Sequence, residues 1–174
     1  MKKFILLIFI SLLFNSTAST QVNTKIMIIE NYDDLTHLSE ILARKEFENK
    51  IVYVDVWGVG CKPCREESEY LPALKQRYQN KDLVFLYLAK PFGFFRISKW
   101  KKEMQEYNLE GYHIYMNKEL EKNIMREVPG IRRQGIPKYI LIDKDGDVAY
   151  PDAPRPSSGD KLYLLIDILL GVNF

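Results

Sequence analysis

Residues 54–65 read Val54-Asp55-Val56-Trp57-Gly58-Val59-Gly60-Cys61-Lys62-Pro63-Cys64-Arg65. The run that leads into them, Ile51 to Val56, is β-branched and apolar, the pattern of a buried strand. Gly58 and Gly60 end it. The stretch from Arg65 to Tyr78 carries Leu71, Leu74 and Tyr78 at helical spacing. Pro72 lies inside it and predicts a kink. A Cys-x-x-Cys pair therefore sits where a strand turns into a helix. At a helix start the first N–H groups lack intrahelical partners and the dipole presents its positive end. Both favour a thiolate over a thiol. Cys61, at the tip, is expected to have a lowered pKa and to act as the attacking nucleophile. Cys64, one turn further in, is placed to resolve a mixed disulfide. Lys62 adds positive charge, and Pro63 suits a first helical turn, where its missing N–H costs little. Asp55 lies within the apolar strand, and burial there predicts a raised pKa.

Working outward, Leu83 to Ala89 and Lys138 to Ile142 read as two more core strands, and Tyr112 to Tyr115 as a short one. Ile26 to Ile29 is a candidate edge strand. Helices are expected over Asp33 to Glu48 with Asp33 or Asp34 as N-cap, Ile97 to Tyr107, Asn117 to Glu127 with Asn117 as cap, and Gly159 to Leu170. Lys144 to Asp147 reads as a turn, with Val148 to Tyr150 returning as its hairpin partner. Strands alternating with helices and a hairpin near the end predict an α/β layer fold with a mixed central sheet.

The chain has 174 residues, which suits one domain. At 47% hydrophobic and 28% charged it is not a disordered chain. Met1 to Phe14 carries two lysines and then an apolar run broken only by Ser11, followed by the small-x-small pattern Ser16-Thr17-Ala18. This is the pattern of a secretory signal peptide over residues 1–18. Residues 19–30 are expected to form a flexible segment and 31–174 the folded domain. Removing Lys2 and Lys3 from the 25 basic residues balances the 23 acidic ones. The mature chain is then nearly neutral, which argues against nucleic acid as a partner. An uncleaved signal acting as an anchor is the alternative. The two cysteines, Cys61 and Cys64, close too short a loop to constrain an unfolded chain much, so the pair suits chemistry better than stapling.

The block 54–65 resembles the thioredoxin superfamily, and most of all the secreted TlpA/ResA-like thiol–disulfide oxidoreductases of the bacteroidetes type. The likeness runs from about Asn49 to Leu170. It rests on the strand–Trp57–x–x–x–Cys61–x–x–Cys64–helix block and on Asp55, six residues before Cys61. It rests also on Gly135-Ile136-Pro137 ahead of the strand Lys138 to Ile142, and on an inserted segment from Lys90 to Glu127. The resemblance implies a thioredoxin-like fold. It implies that Asp55 relays protons to Cys64 and that Pro137 is cis and, with Ile136, aligns substrate backbone. Trp57, Lys62 and Pro63 are further candidates for shaping the substrate site. No organic cofactor or metal is implied. The implied partners are disulfide-bearing proteins, such as apocytochrome c or other exported proteins, and a membrane thiol reductase of the DsbD or CcdA kind as electron donor.

Gly60 stands where many relatives carry a second Trp, and Lys62 where thioredoxin itself has Gly. The dipeptide between the cysteines tunes redox poise, so an oxidase that installs disulfides is the nearest alternative. A thiol peroxidase is disfavoured because Val59-Gly60 replaces the Thr-x-x-Cys setting. A copper-handling protein of SCO type is disfavoured because the cysteine spacing is one residue short. His37 and His113 stand at no recognised zinc spacing. Asp143-x-Asp145-x-Asp147 places Gly146 wrongly for a calcium loop and reads as a hairpin turn. Lys99, Lys101 and Lys102 read as a solvated helix face.

Overall fold

The computed structural model of the chain describes residues 26–90, 97–128, 130–131 and 135–172. The expected signal peptide over residues 1–18 lies outside these. Among the described residues six strands form one sheet: β1 (Ile26–Ile28), β2 (Ile51–Gly58), β3 (Leu83–Lys90), β4 (Gly111–Tyr115), β5 (Lys138–Ile142) and β6 (Val148–Tyr150). Their spatial order is β1-β4-β3-β2-β5-β6. The first four run parallel, and β5 and β6 pair antiparallel. The helices are α1 (Leu38–Leu42), α2 (Lys62–Ser68), α3 (Leu71–Tyr78), α4 (Ile97–Glu106), α5 (Lys118–Glu127) and α6 (Asp160–Leu169). This is the expected α/β arrangement with a mixed central sheet.

Strand β2 shows how the sequence builds the layers. All eight of its residues are buried, because both faces of a central strand are covered. Side chains alternate across a strand. Ile51, Tyr53 and Trp57 join the core under α2, α3, α4 and α6. Val52, Val54 and Val56 join the opposite core under α1 and α5. Each fully buried side chain of this size stabilises the fold by about 1.5–3 kcal/mol relative to exposure. The same alternation sends Asp55 to the face that carries the cysteines.

Four expectations change. Residues 26–28 are sheet, paired with β4, so part of the stretch 19–30 assigned to a flexible segment is ordered. The helix expected over 33–48 is only α1. Residues 31–34 form a turn in which Asp34 N–H bonds the Asn31 carbonyl, with Asn31 at φ 55°, so neither Asp33 nor Asp34 caps a helix. Leu35 and Phe47 reach the core from turns instead. Pro72 does not kink one helix; it sits in the first turn of a separate one, α3. The N–H that a proline lacks has no partner there to lose.

The Asn117 cap and the 143–147 turn are as read. Asn117 Oδ1 accepts from Leu120 N–H at 2.8 Å. Its Nδ2 donates to the carbonyls of Asp33 and Leu35, both at 2.8 Å, tying that turn to α5. Asp143 Oδ1 accepts from the N–H groups of Asp145 and Asp147 at 3.0 Å, so the spaced acids fold a turn.

Candidate active site

The end of β2 delivers the chain to the cysteines. Cys61 is the N-cap of α2, and Pro63 lies in the first helical turn. The two cysteines form a disulfide, with Cα atoms 5.3 Å apart. Cys61 is half-buried and Cys64 buried. Cys64 N–H donates to Cys61 Sγ at 3.2 Å, so the exposed sulfur already faces a helix-start donor. That donor and the end of the helix dipole stabilise a thiolate at Cys61.

Opposite this corner the Ile136–Pro137 peptide bond is cis, and the Ile136 carbonyl oxygen lies 4.0 Å from Cys61 Sγ. Ile136 and Pro137 are half-buried, while Gly60, Lys62 and Pro63 are exposed. Together they form an open rim around the exposed sulfur. Pro137 also borders a polar cavity of about 410 Å³, shared with Tyr139, Asp152, Arg155 and Ser158. A larger cavity of about 610 Å³ lies away from the cysteines, beside Lys75, Phe85 and Tyr112. Gly58 lies close to the rim: a Cβ there would meet Ile136 Cδ1 at 2.6 Å, so the end of that side chain would have to shift.

Asp55 is buried, and desolvation raises its pKa to about 8. The Glu67 charge pushes in the same direction and Lys75 opposes it. In the sheet register Asp55 stands beside Tyr87 on β3 and Tyr139 on β5. Asp55 Oδ1 and the two phenol oxygens have no hydrogen-bond partner among the described residues. Lys75 donates to the Glu110 carbonyl at 2.7 Å and lies over the Phe85 and Tyr87 rings at 5.2 and 5.5 Å. Burial lowers its pKa to about 8, against the pull of Glu110 and Asp55. A carboxyl of this kind can take a proton near neutrality, as resolution by a buried thiol requires.

Trp57 and Lys62 are placed on opposite sides of the loop surface. Trp57 is 2% exposed and belongs to the core, so it supports the loop from below and offers no surface to a protein substrate. Lys62 is 76% exposed and pairs with Glu66 at 3.7 Å on its own helix, which offsets the charge it brings to Cys61.

Three residues missed in the sequence belong to the site. Glu67 is buried and accepts from Ser157 N–H and Oγ–H at 3.0 and 2.9 Å. Glu103 is buried and accepts from Gly60 N–H at 2.9 Å. Lys75 is the third. The available signal was positional: Lys75 falls among Leu71, Leu74 and Tyr78, and Glu103 between Trp100 and Met104, each a charge on the apolar side of its helix. His113, by contrast, is fully buried and stacks on Tyr87 at 4.7 Å, and burial lowers its pKa to about 4. It is a neutral core residue.

Comparison with known proteins gives consistent relatives. No protein-family model matches the chain. It is 29% identical over 107 residues to thiol-disulfide oxidoreductase ResA of Bacillus thuringiensis, covering 60% of this chain and 55% of that protein. The match thus spans about half the length of the curated relative. A crystal structure of a Bacteroides vulgatus protein assigned to the thiol-disulfide oxidoreductases is 30% identical. It covers 72% of this chain and 82% of its own, with a TM-score of 0.58. A solution structure of a protein so assigned, also from Bacteroides vulgatus, is 27% identical, with coverages of 78% and 80% and a TM-score of 0.59.

Proposed function

The chain belongs to the thioredoxin superfamily, on its TlpA/ResA-like branch, and from that membership we propose that it reduces disulfides in exported proteins. Cys61 thiolate attacks one sulfur of the substrate disulfide, and the other substrate sulfur leaves as a thiolate. Cys64 then attacks Cys61 Sγ, so the second substrate sulfur leaves and the Cys61–Cys64 bond forms. Two electrons pass from protein to substrate. Asp55 accepts the Cys64 proton as that thiol becomes a nucleophile. Ile136 and Pro137 align the substrate backbone at the rim, with Lys62 and Pro63 beside it. Two electrons must return from a donor, for which a membrane thiol reductase of the DsbD or CcdA kind is the candidate. Apocytochrome c is one candidate substrate among exported proteins. Export through a signal over residues 1–18, and a periplasmic location, belong to this reading.

The observation that carries it is the pair at the start of α2: a half-buried Cys61 bonded to a buried Cys64, on the sheet face that holds Asp55. The test is the equilibrium of Cys61–Cys64 against defined thiol buffers. A potential near that of thioredoxin, about −270 mV, is expected of a reductant. A value near that of DsbA, about −120 mV, would make the protein a disulfide-forming oxidant. Absence of any reversible two-electron exchange would end the redox reading.

A further inference from the structure

Helix α4 is firmly seated. Trp100 and Met104 are buried at 0% and 1% exposure. The Trp100 ring meets Tyr32 at 5.7 Å, Tyr115 at 5.4 Å and His113 at 6.5 Å. Glu103 rides on that buried side, 5% exposed, and its Oε2 accepts from the N–H of Gly60, the residue next to Cys61. Just past the end of α4, Tyr107 interacts with Arg65 of α2. The helix thus holds the cysteine segment at residue 60, and the residue that follows it meets the segment again at residue 65. Among the described residues Glu103 meets a counter-charge at ion-pair range, Lys99 Nζ at 3.8 Å from Oε1, and that lysine is 42% exposed. Of the other charged groups nearby, Lys62 pairs with Glu66 and Glu67 meets Arg155 at 3.7 Å.

A carboxylate bonded to the backbone beside a sulfur does two things. It fixes the loop, and its charge opposes a second negative charge on that sulfur, most strongly where water is largely excluded. Disfavouring the thiolate disfavours the reduced form at neutral pH, which makes a dithiol a stronger reductant. We infer that Glu103 is a positioning residue of the dithiol: it holds the Gly60–Cys61 backbone and biases the Cys61–Cys64 pair toward the disulfide. This rests on the dithiol reading of Cys61.

The experiment uses the glutathione equilibrium, in which two glutathione thiols reduce the Cys61–Cys64 bond to give the dithiol and one glutathione disulfide. The pH profile of Cys61 alkylation by iodoacetamide is measured alongside. Glu103→Gln keeps an oxygen acceptor for Gly60 and removes the charge. It is expected to shift the equilibrium three- to ten-fold toward the dithiol and to move the alkylation midpoint to lower pH. Lys99→Met, at a more exposed position, removes the neighbouring positive charge and is expected to move both readouts the opposite way. Changes below two-fold in the equilibrium, with an unmoved midpoint, would overturn the inference. If Glu103→Gln does not fold, Lys99→Met alone decides. An unmodified protein that exchanges with no thiol buffer would defeat the dithiol reading itself, which is a separate result.

Discussion

Asp55 and Tyr139 stand directly opposite each other on the antiparallel strands β2 and β5. Tyr139 in turn stacks on Tyr53 with ring centroids 5.4 Å apart, and Tyr53 donates to the Pro154 carbonyl at 2.8 Å. The carboxyl is thus walled by aromatic rings, on the sheet face it shares with the buried Cys64. Desolvation is the largest influence on it, and its proton is held well above the usual carboxylate range.

That burial makes Asp55 a cost to the fold at high pH. The folded protein keeps a proton on Asp55 that the unfolded chain releases between about pH 4 and pH 8. The Asp55 contribution to stability therefore falls as pH rises across that window and is flat above it. Asp55→Asn is expected to match the parent near pH 4 and to exceed it by roughly 2–5 kcal/mol at pH 9. Urea denaturation at the two pH values checks this. In single-turnover assays of mixed-disulfide resolution, the same variant loses the rise in rate that the parent shows near pH 8.

Lys75 opposes the raised pKa of Asp55. Lys75→Met is expected to carry the Asp55 midpoint above 8, read from the carboxyl carbon resonance by NMR. The lysine is itself lowered to about 8 by burial. For that group the folded state holds fewer protons than the unfolded one between about pH 8 and pH 10.5, so its contribution to stability rises with pH across that window. Lys75→Met abolishes that rise. An unmoved Asp55 resonance would show the two groups to be independent.

Gly58→Ala places a Cβ 2.6 Å from Ile136 Cδ1. The clashing atom ends a half-buried side chain that can shift, so the cost is expected at the low end of overpacking, about 1 kcal/mol. Ile136→Val deletes the clashing methyl, so the double variant is expected to recover most of the loss. A thermodynamic cycle over the four proteins measures the coupling. Additive effects would mean that the alanine is accommodated elsewhere.

Asn117→Ala removes the cap of α5 and the two bonds to the carbonyls of Asp33 and Leu35. A loss of about 1–2 kcal/mol is expected. Asn117→Asp keeps the acceptor and loses the donors, so it is expected to fall between. Equal losses in both variants would place the whole effect in the two donated bonds.

Much of this was legible because local signals agreed with each other. Apart from Asp55 and Lys138, Ile51 to Val56 and Lys138 to Ile142 are apolar and became buried strands. The Cys61–Cys64 spacing and Asn117 carry their geometry within four residues. The short α1 was not legible: Leu35, Leu38, Ile41 and Phe47 mimic one helical stripe, yet two of them reach the core from turns. Glu67, Lys75 and Glu103 were hidden for another reason. Ser157 lies 90 residues from Glu67, Glu110 lies 35 from Lys75, and Gly60 lies 43 from Glu103. Only the closed sheet brings those partners together.

Gly60 has φ +78°, a backbone state that side chains with a Cβ rarely adopt. A bulky aromatic at this position calls for a rotated loop, and rotation would turn the N–H away from Glu103. Glycine here and the acid on α4 are therefore one structural unit. A chimera that imports an aromatic residue at position 60 from a relative has to bring that relative's own helix with it, or it leaves a carboxylate stranded in the interior.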